Sequence, residues 1–137
     1  MFELLKTTAQ ELELCSNMQE KLEFFINQAE TLPTIEKSNE ILTNKVPGCT
    51  SDVYIKCSIK NDKLYCTGSS QALIIKGFLA IVLNTINEHT KTEVLNSFQT
   101  EIEQFLKQTK FSAALSPSRA HATASIISFV LKNIQKL

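Results

Sequence analysis

The stretch from Val53 to Cys66 constrains the fold more than any other part of the chain. Val53, Ile55, Cys57 and Ile59 alternate with Tyr54, Lys56 and Ser58, the two-residue period of a half-buried strand, and Leu64 and Cys66 continue it. With Asn61-Asp62 as a two-residue turn, Ile59 falls opposite Leu64 and Cys57 opposite Cys66, all four on one face. The register is self-consistent, so the spacing predicts an antiparallel hairpin.

Helical patterns flank the hairpin. Ser16-Asn17-Met18-Gln19 reads as a capping box, and Leu22, Phe25, Ile26 and Ala29 keep helical spacing up to a stop near Pro33; a shorter helix is expected before it, around 3–14. From 34 to 48 periodicity is weak, and Val46-Pro47-Gly48 ends this long loop in a tight turn. Past the hairpin, Ser69 or Ser70 is expected to cap a strongly apolar helix running to about Asn87. Gly77 inside it costs about 1 kcal/mol relative to alanine, which calls for a packing reason. Thr90-Lys91-Thr92-Glu93 is a second capping box, and Ser116-Pro117 opens a last helix with proline in the first turn.

Composition narrows the function classes. A chain of 137 residues fits one domain, 1–137, with a core large enough to need no metal or disulfide staple. Fourteen Lys plus Arg balance fourteen Asp plus Glu, leaving no basic excess to displace counterions from nucleic acid. No apolar run approaches the ~20 residues of a membrane span; the best, 72–83, contains Lys76 and Gly77. The opening Met1-Phe2-Glu3-Leu4-Leu5-Lys6 lacks the basic and long apolar regions of a secretory signal, so the expected location is cytoplasmic, where thiols stay reduced.

Each of the four cysteines is then judged by its setting. Cys49 alone follows a Pro-Gly turn and precedes a strand, which puts a thiol on a loop tip. From the residues alone it reads equally as a reactive thiol or as one tucked under its loop. Cys57 and Cys66 fall on the inward face of the hairpin, where core packing is the stronger reading, although the register also permits a cross-strand disulfide. Cys15 abuts a helix cap and carries no assigned role. The gaps between Cys49, Cys57 and Cys66 are wider than the close pairs of structural zinc sites. Arg119, the only arginine, reads by itself as a surface cation, or as a fixed guanidinium supporting a thiolate. His121 nearby raises a Cys-His hydrolase alternative with no third orienting residue.

Four segments together resemble a known family. Asn44-Lys45-Val46-Pro47-Gly48-Cys49-Thr50-Ser51-Asp52-Val53-Tyr54, Gly68-Ser69-Ser70, Ile75-Lys76-Gly77 and Leu115-Ser116-Pro117-Ser118-Arg119 are similar in order and spacing to SufE and CsdE-like sulfur acceptors of cysteine desulfurases. The resemblance implies an α/β fold of the α+β type, a small antiparallel sheet packed against several helices, shared in outline with IscU-type scaffolds. It implies that Cys49 accepts persulfide sulfur from a SufS-type desulfurase, that Arg119 is the motif arginine beside it, and that sulfur passes to a SufBCD-like assembly. On this reading the chain is a carrier and activator rather than an enzyme, with no cofactor of its own. Gln71, Tyr54, Ala122 and Thr123 depart from residues frequent in the family, which bears on partner surface and last-helix packing. The competing hypothesis is a metal or iron-sulfur scaffold using Cys49, Cys57 and Cys66. Only a few per cent of an unperturbed thiol is ionised near neutrality, so a lowered pKa from a nearby cation such as Arg119 would help Cys49 react, within the limit that nucleophilicity also falls.

Overall fold

Strands β1 (Val53–Lys60) and β2 (Lys63–Ser70) form the expected antiparallel hairpin in the expected register, with Cys57 opposite Cys66 and Ile59 opposite Leu64. The computed structural model describes residues 2–137. Asn61 and Asp62 both take positive φ, 53° and 66°, the left-handed pair that a two-residue turn matched to strand twist requires. The shared face is not uniformly covered: Val53, Ile55, Leu64 and Cys66 are buried, Cys57 is half-buried, and Ile59 near the turn is 40% exposed. The core supports the base of the hairpin and the tip projects beyond it.

Among the described residues six α-helices pack around this sheet: α1 (Glu3–Glu13), α2 (Met18–Gln28), α3 (Leu73–Ile86), α4 (Lys91–Thr109), the short α5 (Phe111–Ala114) and α6 (Pro117–Gln135). The apolar α3 is the central element, with Phe78, Leu79, Ala80, Val82, Leu83 and Ile86 fully buried. Its packing explains Gly77. A Cβ there would overlap the Phe25 carbonyl oxygen and lie 2.5 Å from the carbonyl carbon, so glycine is what lets α2 cross α3 backbone to backbone. Phe111 of α5 stacks on Phe25 at 3.7 Å between ring centroids and on Phe78 at 5.8 Å, closing the same layer.

The outer edge of β2 is occupied from Leu64 to Gly68. Gly68 donates to Pro33 C=O and accepts from Ile35 N–H, while Leu64 donates to His89 C=O and accepts from Glu88 N–H. Between them the Asn87 side chain takes the Cys66 N–H at 2.6 Å and gives an N–H to the Cys66 C=O at 3.0 Å. These contacts tie the end of α3 and the loop after α2 to the sheet, and they blunt an edge that would otherwise recruit another strand.

Three capping expectations shift. The N-cap of α2 is Asn17, whose Oδ1 accepts from Glu20 N–H at 2.9 Å while Glu20 returns to Ser16 N–H at 3.2 Å. Asparagine caps at least as well as serine, and the cap moves one residue along, with Glu20 reaching past it to the residue before. Ser69 and Ser70 belong to β2; α3 starts after Ala72, whose N–H is taken by Ser70 Oγ at 3.3 Å. Ser116 occupies the N-cap of α6 without capping it, its hydroxyl sitting 3.3 Å from that of Ser118. The box at Thr90 and Glu93 forms as expected, with both reciprocal bonds.

Candidate functional site

The candidate site is built on the loop between Val46 and Val53. Both valines are buried at 1% exposure, and Val46 N–H donates to Val53 C=O at 2.8 Å, so the loop is pinned at its base. Lys45 and Asp52 add an ion pair at 3.0 Å across the same neck, and Asp52 raises the Lys45 pKa, by hydrogen bond first and by charge second. The pair is exposed and screened by solvent, so it contributes little. Within the loop, Pro47-Gly48 makes the turn: Gly48 has φ +84°, the left-handed conformation wanted at the third position of a type II turn after proline. Gly48 is also pressed against α6, since a Cβ there would meet His121 Nε2 at 3.0 Å and Ser125 Oγ at 3.2 Å.

This turn aims Cys49 inward. Pro47, Gly48 and Thr50 are exposed, whereas Cys49 is half-buried and packs against the edge of the core. It opens into a pocket of about 410 Å³ lined also by Thr50 and Ser51 of the loop, Val53, Ala72 and Ile75 at the start of α3, and Ser116, Ser118, Arg119 and Ala122 at the start of α6. The two residues singled out from sequence, Cys49 and Arg119, therefore share one cavity although 70 residues of chain separate them. Arg119 is exposed at the pocket mouth.

The thiol is not activated in this conformation. Burial pushes the Cys49 pKa up, because the thiolate would lose hydration without a compensating partner. In this conformation burial favours the neutral thiol of Cys49 over its thiolate. His121 packs on the Gly48 turn and does not line the pocket. Cys57 and Cys66 lie elsewhere: Cys57 is four residues along β1 from Val53, roughly 13 Å at strand spacing. Among the described residues no group of three His, Cys, Asp or Glu side chains is placed to hold a metal ion. No helix among them is long and apolar enough to cross a membrane.

Sequence reasoning did not identify Ala72, Ile75 or Ala122 as site residues, nor Thr50, Ser51 and Ser118 beyond their place in the motifs. The small side chains at 72 and 122 leave the cavity open. Ala122 is itself buried, and its neighbour Thr123 turns its hydroxyl back to the Ala120 carbonyl at 2.7 Å, so these two departures pack without an unpaired polar group.

Comparisons with known proteins give the family and the fold. Residues 6–134 match the family model for SufE, described as an Fe-S metabolism associated domain. An uncharacterized SufE-like protein of Synechocystis is 32% identical over 95 residues, covering 69% of this chain and 57% of the relative's length. The cysteine desulfuration protein SufE of Wigglesworthia glossinidia brevipalpis is 27% identical over 124 residues, covering 90% of this chain and 84% of that protein. A solution structure of a hypothetical protein from Thermus thermophilus superimposes with a TM-score of 0.74 over 97% of this chain and 94% of its own, at 12% identity. At that identity it supports the fold alone.

Proposed function

We propose, from the premise that this chain belongs to the SufE family, that it takes persulfide sulfur from a cysteine desulfurase onto Cys49 and passes it toward iron-sulfur cluster assembly. The observation that carries the reading is the placement of Cys49: of the four cysteines, it alone sits on a pinned loop and faces a pocket shared with Arg119.

The chemistry is a thiol exchange. Cys49 thiolate attacks the outer sulfur of a persulfide on the desulfurase; that S–S bond breaks, the desulfurase cysteine leaves as a thiolate, and Cys49 holds the sulfur as its own persulfide. Burial disfavours the Cys49 thiolate in the resting chain, so its ionisation follows movement of 48–51 away from the core and toward the partner. Val46 and Val53 act as fixed posts for that movement. The same cover shelters a persulfide from reductants afterwards. Arg119 at the pocket mouth supplies a permanent cation for the thiolate or persulfide anion once the loop presents it. The pyridoxal chemistry that releases sulfur from cysteine belongs to the partner, a SufS-type enzyme, and the recipient is a SufBCD-like scaffold. The chain itself serves as carrier and activator in the cytoplasm.

The test is sulfide release by a purified SufS-type desulfurase with and without this chain. Wild type accelerates it and Cys49→Ser does not. Acceleration that survives the substitution removes Cys49 from the account.

A further inference from the structure

The hairpin carries a second pair of thiols that sulfur acceptance at Cys49 does not use. Cys57 and Cys66 are directly opposed in the register, and both are free. Both backbone groups of Cys66 are bonded to the Asn87 side chain, on the far side from β1. The pair is therefore of the non-hydrogen-bonded kind, whose Cα atoms stand about 4.5 Å apart. That spacing lies inside the roughly 4.4–6.8 Å over which a disulfide closes without moving the backbone.

The two thiols are unequal in access. Cys66 is 0% exposed under α3, whereas Cys57 is half-buried near the projecting tip, beside Ile59 at 40% exposure. Beyond the bridge of Lys45 to Tyr54, no further strand pairs with β1 among the described residues, and Cys57 keeps part of its surface in solvent. An accessible thiol backed by a buried one at bonding distance is the arrangement of an attacking and a resolving cysteine.

We propose that Cys57 and Cys66 form a dithiol–disulfide exchange site for low-molecular-weight disulfides of the glutathione class, independent of Cys49. Cys57, after losing its proton to solvent, attacks one sulfur of the disulfide RSSR; that bond breaks, and RS⁻ leaves and is protonated. Cys66 gives up its proton and attacks Cys57 Sγ in the mixed disulfide; the bond to the second RS breaks, and this RS⁻ leaves as RSH. The two protein thiols lose two electrons and two protons, and RSSR becomes two RSH. Cys57 is the thiol that solvent reaches, which assigns the first attack to it, and the hydrogen bond with Cys57 followed by burial pushes the Cys66 thiol up, favouring its protonated form in the reduced state. The oxidised hairpin keeps its register, since the new bond joins residues already paired.

The test uses the whole reduced chain and oxidised glutathione as probe, with an acid quench, unfolding, alkylation and peptide mass mapping. Cleavage at lysine separates 57–60 from 64–76. The expected product is these two peptides joined and lighter by two hydrogen atoms, formed equally in wild type and in Cys49→Ser. In Cys66→Ser the reaction stops with glutathione on Cys57, and in Cys57→Ser the buried Cys66 stays free. The wild-type arm needs no substitution: Cys57 and Cys66 both remaining alkylatable, or Cys57 joined instead to Cys49 or Cys15, overturns the proposal. Because the readout omits any desulfurase, its failure leaves the role of Cys49 standing.

Discussion

Replacing Gly77 by alanine sets two known effects against each other, and the structure decides the sign. In an exposed helix the change is favourable by about 1 kcal/mol, since alanine loses less backbone entropy. Here the new methyl would overlap the Phe25 carbonyl and stand 2.5 Å from its carbon, against an ordinary carbon contact of about 3.5 Å or more. The obstacle is backbone, so no rotamer change relieves it, and relieving the overlap with the carbonyl oxygen moves α2 off α3 by about 1.5 Å, loosening the stack of Phe25, Phe111 and Phe78. Overpacking of this kind costs about 1–3 kcal/mol, and a rigid neighbour puts it at the upper end. The net expectation is a loss of about 2 kcal/mol, a substantial share of a total of about 5–15 kcal/mol. For a domain of this size Tm falls by roughly 6–10 °C. Urea unfolding followed by far-UV circular dichroism measures it through the midpoint at constant slope. A stability equal to wild type, or higher by the helix-propensity gain, would refute the close crossing of α2 and α3.

Further outcomes follow from other contacts. Asn87→Ala leaves the Cys66 N–H and C=O without their partners and costs about 2–4 kcal/mol by the same unfolding assay, whereas loss of a surface contact costs under about 0.5 kcal/mol. Thr90→Ala removes one arm of the α4 capping box and costs about 1 kcal/mol. The raised pKa of Cys66 makes stability alkali-sensitive. Its folded value lies above the unfolded one, so the stabilisation is complete below the unfolded thiol pKa and declines as pH rises past about 8.5, by about 1.4 kcal/mol per pH unit for this group. Cys66→Val flattens that part of the profile; an identical slope in the variant removes Cys66 as its cause. Arg119→Ala lowers the rate of sulfur transfer to Cys49 by about 10-fold or more without shifting the unfolding midpoint, because the side chain is exposed. A changed midpoint with unchanged transfer would make it structural.

Much of this was legible in local sequence where a local rule decides the outcome. The hairpin register follows from two-residue alternation and a turn that tolerates positive φ at Asn61 and Asp62, and the α4 cap from two side chains three residues apart. The Pro-Gly-Cys run put a thiol on a loop because proline and glycine dictate that turn whatever surrounds it. Sequence reasoning failed where a distant partner decides. β2 runs on through Ser69 and Ser70 because Gly68 is held by Pro33 and Ile35, contacts that no window around the serines reveals. Gly77 signalled a packing demand, but Phe25 as its cause needed the fold. The upward push on the Cys49 pKa was hidden for the same reason: it comes from burial against the core, which only the fold reveals. The pocket's floor, Ala72 and Ile75, comes from a helix start whose location was itself shifted.

The most direct check on the account is mass analysis of the 46–56 peptide, cut at Lys45 and Lys56, after the chain is incubated with a cysteine desulfurase and free cysteine under non-reducing conditions. The account predicts that this peptide gains the mass of one sulfur atom, lost again on adding a thiol reductant. No added sulfur there, while the desulfurase itself carries persulfide, would contradict it.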